Sequence, residues 1–150
     1  MKSRRRRLGY SLIEILFAVF LLAAGASVVV ASLPAASTAR ARAQINNIAT
    51  GLAQKQLEAI RGTGYANLTP SRLLAAGLID STTTVAANTY AFTLSDASNN
   101  DSVSSNLNAG VGTVKIEQVD LDLRRVTVTV QWNERRGTQT VTVGTLVANL

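Results

Sequence analysis

Histidine and cysteine, which carry most nucleophilic and metal chemistry, are absent from this chain of 150 residues. Without them there is no Ser-His-Asp or Cys-His nucleophile, no Cys/His zinc site, no haem or iron–sulfur ligation and no disulfide. What remains is 9 Asp plus Glu, 15 Lys plus Arg, and hydroxyls. Asp96 and Asp101 bracket Ala97-Ser98-Asn99-Asn100. That segment lacks the central Gly and closing Glu of a calcium loop and reads as solvated. Two basic pairs stand in the C-terminal part, Arg124-Arg125 and Arg135-Arg136. Phosphate, as in a nucleic acid, is the ligand they would suit. No aromatic residues interleave with them, and Asp120 and Asp122 stand beside the first pair, so solvated charge is the preferred reading. Neither a Gly-rich phosphate loop nor a paired-carboxylate constellation stands out. The expectation is no enzyme, no cofactor and no metal. One carboxylate is out of place: Glu14 is the only charge in an apolar run from Leu12 to Leu33.

That run must be positioned by a helix. As a helix, Tyr10 to Leu33 is about 36 Å long, enough to cross a bilayer core of about 30 Å with some tilt. Ahead of it stand Lys2, Arg4, Arg5, Arg6 and Arg7, five of the 15 basic residues. A basic cluster on one flank stays cytoplasmic, which places the rest of the chain across the membrane. A plain signal anchor would look like this. A cleaved secretory signal would as well, with Ala24-Gly25-Ala26 as its small-residue site, but Glu14 lies where such a signal should be uncharged. A lipoprotein is excluded because it needs a Cys.

Gly9-Tyr10-Ser11-Leu12-Ile13-Glu14 resembles the processing motif of type IV prepilins and type II secretion pseudopilins. Leader length, Gly, the Glu at the fifth mature position and the uninterrupted apolar stretch agree together, with Tyr10 and Ser11 in place of the commoner Phe and Thr. The resemblance implies cleavage between Gly9 and Tyr10 by a prepilin peptidase, N-methylation of Tyr10, and a role for Glu14 in assembly. In a bundle of such helices a carboxylate among apolar neighbours needs a partner. The resemblance implies that this partner is the α-amine of Tyr10 on a neighbouring subunit.

Pro34 follows the apolar run and predicts a kink or break near residues 30–34, or the first turn of a second helix. Beyond it Ile45, Ile48, Ala49, Leu52, Ala53, Leu57 and Ile60 recur at helical spacing, which predicts an amphipathic helix ended by Gly62 and Gly64. Ser71 to Gly77 reads as a short helix with a Ser cap. Residues 80–89 and 95–112 read as loops. Alternation over residues 89–94, 113–116, 126–132 and 141–147 predicts about four antiparallel strands, the last two joined by a hairpin at Asn133 to Gly137. The fold class expected is α+β, a long N-terminal hydrophobic stem helix on a small antiparallel sheet. The divisions are residues 1–9 as leader, 10–34 as membrane or filament-core helix, 35–64 as the amphipathic half, and 65–150 as the head.

The stretch Leu52 to Glu58 with Arg61 and Tyr65, and the Val-Thr-Val-Thr-Val-Gln-Trp hairpin, resemble minor pilins of the pilus-modification group. The first stretch also resembles the I-type pseudopilin. The function implied is a structural minor pilin, with the I-type pseudopilin of a type II secretion system as the nearest rival. A secreted binding or adhesin module with a cleaved signal is the rival from another class. Implied partners are other pilin or pseudopilin subunits, the prepilin peptidase/N-methyltransferase, the inner-membrane assembly platform, and membrane lipid before assembly. Because some pili take up DNA, nucleic acid stays among the partners through Arg135 and Arg136. The implied location is the inner membrane with a periplasmic head, then a fibre at the cell surface. Without residues 1–9 the formal charge falls from +6 to +1, so the high pI describes mainly the leader.

Overall fold

The computed structural model describes residues 11–95, 102–135 and 137–149. Helix α1 runs from Leu12 to Gly62, 51 residues. The chain divides into two compact units, Met1–Arg42 and Ala43–Leu150. In the first, α1 is rich in Leu, Ala and Val, good or tolerated helix formers. Helix α1 continues through Pro34, so no second helix starts there. Pro34 can donate no bond to the Val30 carbonyl, which weakens the helix at one rung. The neighbouring hydroxyls of Ser32, Ser37 and Thr38 donate to the carbonyls of Val29, Pro34 and Ala35, so this stretch keeps local hydrogen bonding.

The second unit starts on the same helix and is α+β. After α1 come a single 3-10 turn, Tyr65–Asn67, then α2, Pro70–Ala75. Strands β1, Thr84–Ala86, and β2, Thr89–Ala91, precede a one-turn helix α3, Val103–Asn106. Strands β3, Val111–Asp120, β4, Leu123–Glu134, and β5, Gly137–Ala148, complete the chain. The sheet is an antiparallel meander in the order β1-β2-β3-β4-β5. Register pairs Val114 with Val128 and Val128 with Val143, so one face of three strands presents valine rows. Period two then places Val126, Val128, Val130 and Trp132 of β4 inward and Thr127, Thr129 and Gln131 outward.

The predicted stripe of α1 packs on the inward rows. Ala49, Ala53, Leu57 and Ile60 are buried with Val114, Val126, Val128, Val130 and Trp132, and Ile45, Ile48 and Leu52 flank them. Leu68, Leu73, Ile79, Phe92, Val103 and Leu107 join the same core. Polar ties fix the connections. The Gln56 amide donates to the Leu78 carbonyl. The Asp80 carboxylate accepts from the Leu94 N–H and the Ser95 hydroxyl. Buried Ser102 caps α3 by accepting from the Ser105 N–H.

Four further expectations are corrected. The sheet has five strands, because Thr84–Ala86, expected as loop, turns back on β2. The strand expected over residues 89–94 ends at Ala91, where Asp80 captures the following backbone. The loop expected over residues 95–112 contains α3 and the start of β3. Helix α2 begins at Pro70 with Thr69 as its extended N-cap, in place of a Ser71 cap; Gly77 follows the helix at φ 69°. Asp96 and Asp101 lie outside the described residues.

Gly112 shows how tightly the core is filled. A Cβ there would come within 2.7 Å of the buried Phe92 ring, whereas one on Gly51 of α1 would meet nothing within 4 Å. Gly112→Ala is therefore expected to cost about 1–3 kcal/mol by forcing the ring aside, and Gly51→Ala to stabilise by about 0.5–1 kcal/mol. Urea unfolding of the two variants against the parent chain checks both signs.

Candidate functional site

In the first unit the feature that demands explanation is the exposed apolar surface of α1. Leu12 is 83% exposed and Val30 64%, and every large apolar side chain that is exposed between them is at least 56% exposed. By length and composition α1 can cross a membrane. Glu14 sits in its first turn, where the partial positive charge of a helix N-terminus favours a carboxylate. Its backbone N–H donates to the Ser11 carbonyl at 2.9 Å. One turn further on, Ala18 is small and leaves a shallow hollow of about 470 Å³ bounded by Glu14, Ile15, Val19 and Leu22. A hollow framed by side chains on successive turns is the shape that a side chain of another helix fills. Residues 1–10, with Gly9 and Tyr10, lie outside the described residues, so of the N-terminal site residues expected from the sequence the structure places Glu14.

In the second unit the basic pairs do not converge. Arg124 and Arg125 are neighbours on β4 and so point to opposite faces. Arg125 is on the outer face in register with Glu117 of β3. There the Lys115 ammonium, 2.6 Å from Glu117, holds the Glu117 carboxyl below its ordinary pKa, with a smaller contribution from Arg125. A lowered carboxyl pKa adds stability above the ordinary carboxylate range and loses it as pH falls through the lowered value. This cluster is exposed and screened, so its effect is small. Arg135 is exposed at the β4–β5 tip, and Arg136 lies outside the described residues. Eleven strand positions at roughly 3.3 Å each set Arg135 about 35 Å from Arg124, too far for one phosphate-binding patch.

Arg124 has a different task from the one its neighbours Asp120 and Asp122 suggested. Those carboxylates accept from the Leu121 N–H and from the Asn149 amide. The Arg124 Nη1 donates to the Leu68 carbonyl at 2.9 Å and the Tyr65 carbonyl at 3.3 Å, and its guanidinium carbon lies 4.5 Å from the Tyr65 ring centroid. The Tyr65 hydroxyl donates to the Leu121 carbonyl at 2.7 Å. Arg124 therefore caps the carbonyl end of the 3-10 turn while Tyr65 braces the β3–β4 turn. Partners 59 and 56 residues apart leave no local pattern, which is why sequence reading missed this tie. A shallow groove of about 350 Å³ lies at this corner, walled by Leu68, Pro70, Tyr90 and Ile116 with Gln118 and Arg124. Its Arg124 Nη1 is already committed to the two carbonyls. Among the described residues no three acidic side chains group to hold a metal ion.

No family model, curated protein or solved structure matches the chain. The architecture itself is pilin-like: a long N-terminal apolar helix whose later turns pack on an antiparallel sheet.

Arg124→Ala removes two charge-assisted hydrogen bonds and a ring contact, and is expected to lower stability by about 2 kcal/mol. Arg124→Lys keeps the charge but loses the planar fork, and is expected to recover less than half of that. Chemical unfolding midpoints at constant m-value test the ranking.

Proposed function

We propose that the chain is a structural subunit of a type IV pilus, a minor pilin held first by the membrane and then by neighbouring helices. The observation that carries this reading is the continuous exposed apolar surface from Leu12 to Val30 with Glu14 in the first turn. Such a surface requires an apolar environment. Lipid supplies it before assembly, and helices of other subunits supply it afterwards. The hollow beside Ala18 suits the second environment, since lipid tails do not require a shaped seat.

In this reading the basic leader holds the N-terminus in the cytoplasm and the head crosses to the periplasm. Prepilin peptidase cuts after Gly9, the new Tyr10 amine is methylated, and the inner-membrane platform lifts the subunit into the fibre. Glu14 then pairs with the Tyr10 amine of a neighbour, so that neither charge is left alone among apolar side chains. The role is structural, with no catalysis and no cofactor. The I-type pseudopilin of a type II secretion system would use the same helix in the same way, and neighbouring genes distinguish the two machines. Nucleic-acid contact through Arg135 and Arg136 gains no support from the spread of basic residues over the head.

Mass spectrometry of the mature N-terminus is expected to find methylated Tyr10. A start at Ser27 would instead mark a secreted module freed by signal peptidase. Glu14→Val is expected to be processed normally and to enter fibres at least about a hundredfold less, since breaking a buried ion pair costs about 3–5 kcal/mol. Normal incorporation of that variant would sink the pairing role.

A further inference from the structure

Strand β5 is 12 residues long and forms one edge of the sheet. Among the described residues its strand partner is β4 alone. Its sequence, Gly-Thr-Gln-Thr-Val-Thr-Val-Gly-Thr-Leu-Val-Ala, contains no charge and no Pro, and its register with β4 is unbroken. Exposed edges are ordinarily blunted by charge, Pro, a bulge or brevity. The opposite edge follows that rule: β1 has 3 residues and its pairing with β2 is irregular. The β5 edge does not, so along its free side alternate residues offer backbone N–H and C=O groups.

The core also thins out at this edge. On the inward row of β5, Gln139, Val141, Val143 and Thr145 are only half-buried, while Val126, Val128 and Val130 of the adjacent β4 are sealed. A strand added beside β5 would continue both the ladder and the valine rows.

We propose that β5 pairs antiparallel with β5 of a second copy across a two-fold axis at Thr142, making one continuous sheet from two heads. The edge itself argues for a second copy. A head-to-tail joint of β5 with β1 could use only the 3 residues of β1, whereas β5 with β5 uses nearly the whole strand. Directly opposed residues in an antiparallel pair point to the same face. An axis at Thr142 meets that condition and sets Val141 of each copy against Val143 of the other. It also sends the two Arg135 tips to opposite ends of the joint, so like charges do not meet. A single strand pair is smaller than the usual stable interface of about 1,600 Å², so this contact is transient and fills at high local concentration. It belongs to the head and does not rest on the assembly role of α1.

The chain has no Cys, so a single introduced thiol can form only an intermolecular disulfide. Thr142→Cys is a small change at an exposed position, and Val85→Cys on the exposed β1 edge is its control. Both are made in the full chain in detergent, at the same protein concentration. Under mild oxidation Thr142→Cys is expected to give dimer at least about tenfold faster than Val85→Cys. Thr140→Cys, whose symmetry mate would lie well beyond the roughly 7 Å limit for a disulfide, is expected to match the control. Equal rates at residues 142 and 85 would overturn the proposal, and a maximum at residue 140 would overturn the axis. As a second readout, hydrogen exchange of β5 amides in the parent chain is expected to slow as its concentration in detergent rises. In Thr142→Lys, which opposes two ammonium groups at the axis, it should not. Concentration-independent exchange in both would also reject the pairing.

Discussion

The second unit depends on one contact, the Ala49–Ile60 stripe of α1 against the inward row of β4. Val126, Val128 and Val130 are fully buried in one core with Ala49, Ala53, Leu57 and Ile60 of α1. Everything else in this unit closes the margins of that contact. Leu68, Leu73, Phe92, Val103 and Leu107 extend the same core, with the Phe92 ring against Gly112. The polar ties at Gln56, Asp80 and Arg124 fasten connecting segments and leave the apolar contact itself undisturbed.

The same helix changes character along its length. Before Arg42 its apolar residues face all directions and are exposed, while after Ala43 they narrow to a stripe that is covered. This change is the physical ground for proposing two environments on one element: an apolar phase for the first stretch, beside the sheet that covers the second. Glu14 belongs to the first stretch, at the end where a helix best tolerates a negative charge.

Those parts of the fold that rest on periodicity were legible in the residues. The 3.6-residue stripe from Ile45 to Ile60 and the two-residue alternation from Val126 to Trp132 reappear as the two sides of the core. The parts that rest on distant partners were not. β1 is three exposed residues that become a strand only through β2, and α3 is a single turn whose cap, Ser102, sits in a polar loop. The Arg124–Tyr65 tie joins residues far apart in the chain, so the nearby Asp120 and Asp122 pointed the wrong way. Pro34 lies inside α1, where one lost bond does not end a helix that continues on both sides.

The meander order has a kinetic meaning. Each strand pairs with its neighbour in sequence, and β3, β4 and β5 are joined by connections of only two residues, Leu121-Asp122 and Arg135-Arg136. Little loop-closure entropy opposes those pairings, so the three long strands can form as successive hairpins, quickly and without a crossover. The docking of α1 on β4 is the main long-range closure in the head. With no cysteine pair to be oxidised, the head reaches its fold without waiting for an oxidase or an isomerase.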